Sequence, residues 1–238
     1  MQKMTMMQHF AELRRRVLWT FGMFLVAVIC GWYIAPHAQE LLTAPLMRVW
    51  PDGALLYNNI SDGLMIRFSL AVLVGIIFVI PFGLYQLWQY IAPGLKNTER
   101  NFIWPFLVLS PILFIIGGAF AFYVMFPFVF GFFMELNTSA PVPAILIPAA
   151  RDYLGFAIGM LKVFGIAFQL PLALVLLNRI GVLSRARVIK MRRYAIVLIV
   201  IVAAILTPPD VVSQIALALP MWILFESSIL FMRDGPSE

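Results

Sequence analysis

The chain has 238 residues, 63% of them hydrophobic and only 12% charged, with a formal net charge of +6. Soluble domains carry roughly 25% charged residues, so too few polar side chains exist here to cover a water-facing surface, and an ordinary globular fold is excluded. The solvent for most of the chain is lipid, and one membrane domain, residues 1–238, accounts for nearly all of it.

Lys3 and then Arg14, Arg15 and Arg16 precede the first apolar run, Val17 to Ile34. A signal peptide shares that layout. This run, however, ends on Trp32, Tyr33 and Pro36 instead of small residues, which predicts a retained span. The lone cysteine, Cys30, rules out an internal disulfide and reads as a small buried hydrophobe. An outer loop follows from Ala35 to Asp62, with Pro36, Pro45 and Pro51 making it a stiff cap. The next spans are Leu64 to Tyr90 and Phe102 to Met134. A second proline-bearing outer loop, Glu135 to Asp152, leads to spans at Tyr153 to Leu177, Tyr194 to Leu206 and Val211 to Met232.

The expected architecture is therefore an all-α integral membrane protein of six transmembrane helices, the fifth and sixth short. The 13 residues Tyr194 to Leu206 rise only about 20 Å, less than an undeformed hydrocarbon layer of about 30 Å. The reading taken is a short hairpin turning at Thr207-Pro208-Pro209-Asp210 that thins the bilayer locally. Pro81, Pro105, Pro111, Pro127 and Pro171 predict bent helices forming a concave scaffold, and Gly117-Gly118 predicts a close helix contact. Thirteen of the 17 Lys and Arg residues fall on the N-terminal side of these spans, which places both termini in the cytoplasm. No Arg- and Ser-rich transit segment opens the chain, favouring a bacterial or archaeal plasma membrane over an organelle.

The parts of an enzyme are missing. Only His9 and His37 are present, on opposite sides of the membrane in this topology, and there is no HExxH, no cysteine pair, no Gly-x-Ser-x-Gly and no phosphate loop. Metal, cofactor and nucleophile chemistry therefore lack their residues. Nucleic acid is not an expected partner. Ionisable groups near the spans are few: Glu12 before the first, Glu99 in the loop Lys96-Asn97-Thr98-Glu99-Arg100, Asp210 at the hairpin tip, Glu226 late in the last span, and Lys162 alone in mid-span. Gln169 lies two turns beyond Lys162 on the same helix face. The pair either lines a polar groove or is a snorkelling lysine with a hydrogen-bonded amide. Glu12 and Arg16 are spaced for a helix-surface ion pair, and Glu99 has the setting of a solvated loop charge. In so basic a face, isolated carboxylates are also candidates for capturing a cation.

Five stretches in order, HFAELRRRVL, TAPL, LYQLWQYIAPGLKNTER, FGIAFQLPLALVLL and LTPPDVVSQ, resemble the signature stretches of the TatC family over nearly the whole chain. The resemblance implies the receptor subunit of the twin-arginine translocase in the bacterial cytoplasmic membrane. Such a subunit binds signal peptides bearing paired arginines and, with single-span TatA and TatB partners and self-association, exports folded proteins on the proton-motive force. It implies that Glu12 and Glu99 contact the arginine pair, since a guanidinium fork matches a carboxylate. Arg14 is implied to shape the pocket and Tyr90, where relatives often have Phe, to complete it. Thr207 and Gln214 match positions where partner helices dock, and Pro45 a structural position of the outer cap. Gln169 stands where many members have a glutamate facing a wet groove. It keeps hydrogen bonding but not titration, and in such a groove a carboxylate would be tolerated. The alternatives are a small secondary transporter, weakened by the lack of a repeat or of mid-depth carboxylates, and an assembly scaffold without a substrate.

Overall fold

The computed structural model describes residues 6–49, 54–91, 103–138, 147–207 and 210–234. Among them the fold is all helical: α1 (Met6–Val49), α2 (Asp62–Ile91), α3 (Ile103–Phe120), a π-helical turn (Ala121–Met125), α4 (Phe126–Thr138), α5 (Ala150–Ala167), α6 (Gln169–Arg179), α7 (Arg185–Lys190), α8 (Arg192–Leu206) and α9 (Val211–Phe231). Five stretches are long and apolar enough to cross a membrane: Phe10–Arg48, Asp62–Leu87, Pro105–Leu136, Ala150–Arg179 and Val211–Phe231. The expected fifth span corresponds to α8, whose 15 residues rise about 22 Å, and it does not meet that length.

The largest departure from the sequence reading is α1. Residues 35–49, expected as loop, continue the helix through Pro36 and Pro45. Each proline removes an amide donor and frees a carbonyl about one turn earlier, and in lipid such a group needs another partner. Neighbouring helices supply donors near both, at the Trp32 carbonyl that Pro36 leaves without its helical donor and at the Leu42 carbonyl next to the one that Pro45 leaves. Arg67 of α2 donates Nε to the Trp32 carbonyl at 3.3 Å and lays its guanidinium 4.8 Å from the Trp32 ring centre. Tyr153 of α5 donates its hydroxyl to the Leu42 carbonyl at 2.7 Å. With these donors in place the helix persists and Pro45 is buried within it, against Phe122, Tyr123 and Pro127. Proline also explains two other irregularities. The π turn immediately precedes Pro127, and the break at Phe168 precedes Pro171, where the ring would strike the carbonyl of Ala167 in a continuous helix.

Glycines set the close crossings. A Cβ on Gly31 would stand 2.5 Å from the Ala71 carbonyl oxygen, and one on Gly75 would stand 2.7 Å from Val28, so α1 and α2 meet backbone to backbone. The same exchange joins α3 and α5: a Cβ on Gly117 would stand 2.5 Å from the Phe164 carbonyl oxygen, and Gly165 lies under the Phe114 ring. The expected contact at Gly117-Gly118 thus belongs to Gly117 alone, because a Cβ on Gly118 would have its nearest neighbour at 3.8 Å, an ordinary contact. Around these crossings Leu70, Phe126, Leu154, Met160, Phe164 and Leu217 are fully buried. Phe21, Ile29, Phe78, Ile115, Leu198 and Leu230 remain exposed, as expected where lipid is the solvent. Cys30, read as buried, is on that exposed surface.

Polar fasteners close the two ends. At one end Leu56 and Ala149 form a short parallel bridge, with Leu56 N–H donating to Pro148 and Ala150 N–H donating to Leu56. Asp62 is buried at the start of α2, accepts the Asn58 and Asn59 amides at 3.0 and 2.9 Å, and lies 3.6 Å from Arg151. At the other end Asn178 of α6 donates to the Leu183 and Arg233 carbonyls and accepts the Arg233 amide, clamping α6 to the end of α9. Gly181, at φ 76°, ends α6 in the left-handed region that glycine alone enters without strain. In mid-bundle Gln169 donates Nε2 to the Ser110 carbonyl at 3.0 Å and accepts the Ser110 hydroxyl, joining α6 to α3.

Gly117→Ala is expected to lower the thermal unfolding midpoint in detergent, by overpacking worth about 1–3 kcal/mol, whereas Gly118→Ala leaves it unchanged. Equal midpoints for the two variants would refute the assigned crossing. Gln169→Glu is expected to be destabilising as well, since a carboxylate cannot donate to the Ser110 carbonyl and leaves it open at about 1–3 kcal/mol. A midpoint equal to that of the unaltered protein would contradict this.

Candidate functional site

The carboxylate and guanidinium groups before the first span converge where α1 meets the end of α2. Arg16 reaches back one turn and places Nε and Nη2 on Glu12 Oε1 at 3.0 and 2.5 Å, while its Nη1 reaches across to Gln86 Oε1 on α2 at 3.1 Å. Both side chains of the pair are 21% exposed, so the pair is held in place yet reachable. Thr20 caps the Arg16 carbonyl at 2.9 Å, and its methyl group lies against Gly83, which brings the two helices together beside the cluster.

The division of Glu12 is the chemically informative detail. Oε1 receives both contacts from Arg16, whereas Oε2 is buried and has no hydrogen-bond partner among the described residues. The residue borders an open cleft of about 510 Å³ lined by Ala11, Glu12, Arg15, Arg16, Trp19 and Gln86. A second, almost wholly apolar cleft of about 420 Å³ adjoins it, sharing Arg16 and Gln86 and continuing past Leu13, Val17, Phe21 and Leu87 to Tyr90. The two together offer a carboxylate oxygen at one end and an apolar trough between α1 and α2 at the other. A cationic hydrogen-bonding group followed by an apolar side chain fits that order.

Of the site residues expected from sequence, Glu12 and Tyr90 border these adjoining clefts. Arg14 is exposed and lines a different depression with Arg15, Leu18 and Trp19. Glu99 lies outside the described residues. Lys162 is partly buried on α5, and Gln169 is engaged with Ser110. Thr207 is buried and donates to the Ala203 carbonyl at 2.9 Å, and Gln214 donates to the Val200 carbonyl at 3.3 Å, so both bind back onto α8. Gln86 was absent from the sequence reading. Its signal was available: it is a polar side chain one helical turn before Tyr90 in an otherwise apolar stretch. No group of three or more His, Cys, Asp or Glu able to hold a metal occurs among the described residues.

Residues 8–220 match the family model described as TatC, Sec-independent protein translocase protein. The chain is 36% identical over 233 residues to a Sec-independent protein translocase protein TatC of Magnetococcus marinus, covering 98% of this chain and 85% of the relative. It is 38% identical over 226 residues to that of Escherichia coli, covering 94% and 86%. A crystal structure described as the twin arginine translocase receptor TatC superimposes with a TM-score of 0.85 at 30% identity, over 94% of this chain and 97% of that one. The same receptor crystallised in DDM gives 0.87. With apolar helices long enough for several crossings and a family match over most of its length, the chain belongs to the TatC family, as a multi-pass membrane protein and a non-enzymatic component of protein transport.

Proposed function

We propose that this chain is the receptor of a twin-arginine export system, binding signal peptides that carry paired arginines. With TatA- and TatB-type single-span partners it moves folded proteins across a bacterial cytoplasmic membrane on the proton-motive force. The observation that supports this best is the unpaired Oε2 of Glu12. A carboxylate at the edge of a cleft with one oxygen saturated by an internal guanidinium and the other unpaired can take one further charge-assisted hydrogen bond once a ligand's side chain displaces what covers it, and arginine forms it with better geometry than lysine. Glu99 is the second carboxylate of this reading, in the connection that leaves α2 beyond Tyr90. The adjoining apolar trough takes the hydrophobic part of the peptide. Arg14 and Arg15 set the cationic surround that discourages any cation unable to form that fork, and Arg16 holds Glu12 in position.

The reading includes a six-span topology with both termini cytoplasmic, in which α8 and α9 cross as a short hairpin and the membrane thins beside them. Thr207 and Gln214, at the outer end of that hairpin, are where the single-span partners dock. Their internal bonds leave oxygen lone pairs for a partner, and intramembrane polar pairs average about 0.6 kcal/mol, which orients a helix without locking it.

Binding of a labelled twin-arginine peptide to the purified protein in detergent is the direct test. Glu12→Ala is expected to weaken it at least about tenfold, the loss typical of a hydrogen bond to a charged group, with little change in unfolding midpoint, because a partly exposed i,i+4 ion pair contributes only a few tenths of a kcal/mol. Glu99→Ala is expected to abolish export of a folded twin-arginine reporter while the protein still inserts. Unchanged affinity in the first variant, or equal affinity of the unaltered protein for a lysine-pair peptide, would refute the receptor reading.

A further inference from the structure

From Arg179 to Tyr194 the chain carries Arg179, Arg185, Arg187, Lys190, Arg192 and Arg193 and no acidic residue. The apolar stretch Ala150–Arg179 ends where this segment begins, and α8 starts at Arg192, so the segment lies at the boundary between hydrocarbon and water. An excess of basic residues on one membrane face orients a protein. Orientation alone does not require them to be held in place, yet here they are. Ser184 caps α7 by accepting the Arg187 amide, Val188 in the same turn is buried, and Asn178 ties the end of α6 to Arg233. Two carboxylates at the end of α9 complete the mount: Arg185 reaches Asp234 at 2.6 Å, and Arg192 reaches Glu226 at 2.7 Å.

Those two pairs leave cations over. The side chains of Arg187 and Lys190, three residues apart on one face of α7, are exposed and have no hydrogen-bond or ion-pair partner among the described residues. Arg193, one turn further along, donates Nη2 to the Tyr194 hydroxyl at 2.9 Å and lays its guanidinium 4.7 Å from that ring's centre. The contact orients the guanidinium and uses one of its five donors. Val182, Ile189 and Met191, interleaved with these cations, are exposed as well. Apolar side chains left open beside fixed cations at the edge of the hydrocarbon suit a molecule with an anionic head and acyl chains. A soluble anion would gain nothing from them.

We propose that α7 and the first turn of α8 form a binding site for the headgroup of an anionic phospholipid, with Arg187 and Lys190 on its phosphate, Arg193 beside them, and Val182, Ile189 and Met191 against its acyl chains. Charge complementarity selects the occupant: the guanidinium offers a phosphate a fork and the ammonium a point charge, and the lipid brings both the anion and the chains. The site rests on membrane embedding alone and shares no residue with the Glu12 clefts. In the hairpin reading its effect falls on α8. A headgroup held there fixes the base of this short helix at the level of the phosphates, so the length it lacks is made up at the Thr207 end.

The test is native mass spectrometry of the purified full chain in detergent, titrated with phosphatidylglycerol or with phosphatidylcholine of the same acyl chains. Phosphatidylglycerol is expected to bind at least about tenfold more tightly. Arg187→Gln/Lys190→Gln is expected to remove that preference with an unchanged unfolding midpoint, since both side chains are exposed and unpaired. Arg14→Gln/Arg15→Gln, which removes the same charge near the start of α1, is expected to keep it. Equal binding of the two lipids overturns the proposal, as does a preference that survives in Arg187→Gln/Lys190→Gln. An equal fall in both double variants also overturns it, because net charge and not a site would then set the preference. Displacement of phosphatidylglycerol by glycerol 3-phosphate would identify a soluble phosphate as the ligand, displacement by polyglutamate would identify an acidic protein segment, and either overturns it.

Discussion

A carbonyl opened inside hydrocarbon has no water to turn to, and this constraint organises the bundle. The chain places prolines within its apolar helices, and beside two of them a donor comes from another helix. Arg67 serves Trp32, the carbonyl that Pro36 leaves, and Tyr153 serves Leu42, next to the one that Pro45 leaves. Near Pro127 and Pro171 the backbone changes form instead, as a π turn and as a break. Glycines then allow the approach that makes such donations possible, with Gly31 and Gly75 closing α1 on α2 and Gly117 and Gly165 closing α3 on α5. The result is a frame whose irregular points are also its points of attachment.

The unpaired oxygen of Glu12 is the one that lies in a residue lining the clefts between α1 and α2. Several other polar side chains in the bundle are engaged locally: Gln169 with Ser110, Asn178 with Arg233, Thr207 and Gln214 with carbonyls of α8. Glu12 is engaged on one side only, by an arginine that also bridges to α2. Arg16 thus fixes the direction of the carboxylate and ties it to the helix that forms the other wall of the cleft. A receptor for a cationic peptide benefits from this arrangement, because an already oriented carboxylate loses little freedom when the ligand arrives.

Much of this was readable from the residues. Apolar runs between charge clusters located the long helices, and α2 and α9 fall close to their expected limits, because length and hydropathy alone decide where a lipid-facing helix begins and ends. The Glu12–Arg16 pair followed from spacing. What the residues did not disclose depends on neighbours distant in sequence. Pro36 and Pro45 indicated a loop until Arg67 and Tyr153 were seen to serve the carbonyls beside them. Gly31, Gly75 and Gly165 looked ordinary until their facing backbones were known. For Gln169 the residues left a groove and a hydrogen-bonded amide both open, because nothing in its own helix indicates that Ser110 lies opposite. The bridge from Arg16 to Gln86 likewise spans 70 positions, beyond the reach of any local pattern.

The remote donors to α1 also have a bearing on biogenesis. When α1 emerges from the ribosome, Arg67 is still held back in the exit tunnel, and Tyr153 follows only after α2, α3 and α4. Until those side chains arrive, the carbonyls of Trp32 and Leu42 lack the donors that serve them in the finished bundle. The full 44-residue rod is thus a late product of membrane integration, completed from its amino end outward as each successive helix joins it.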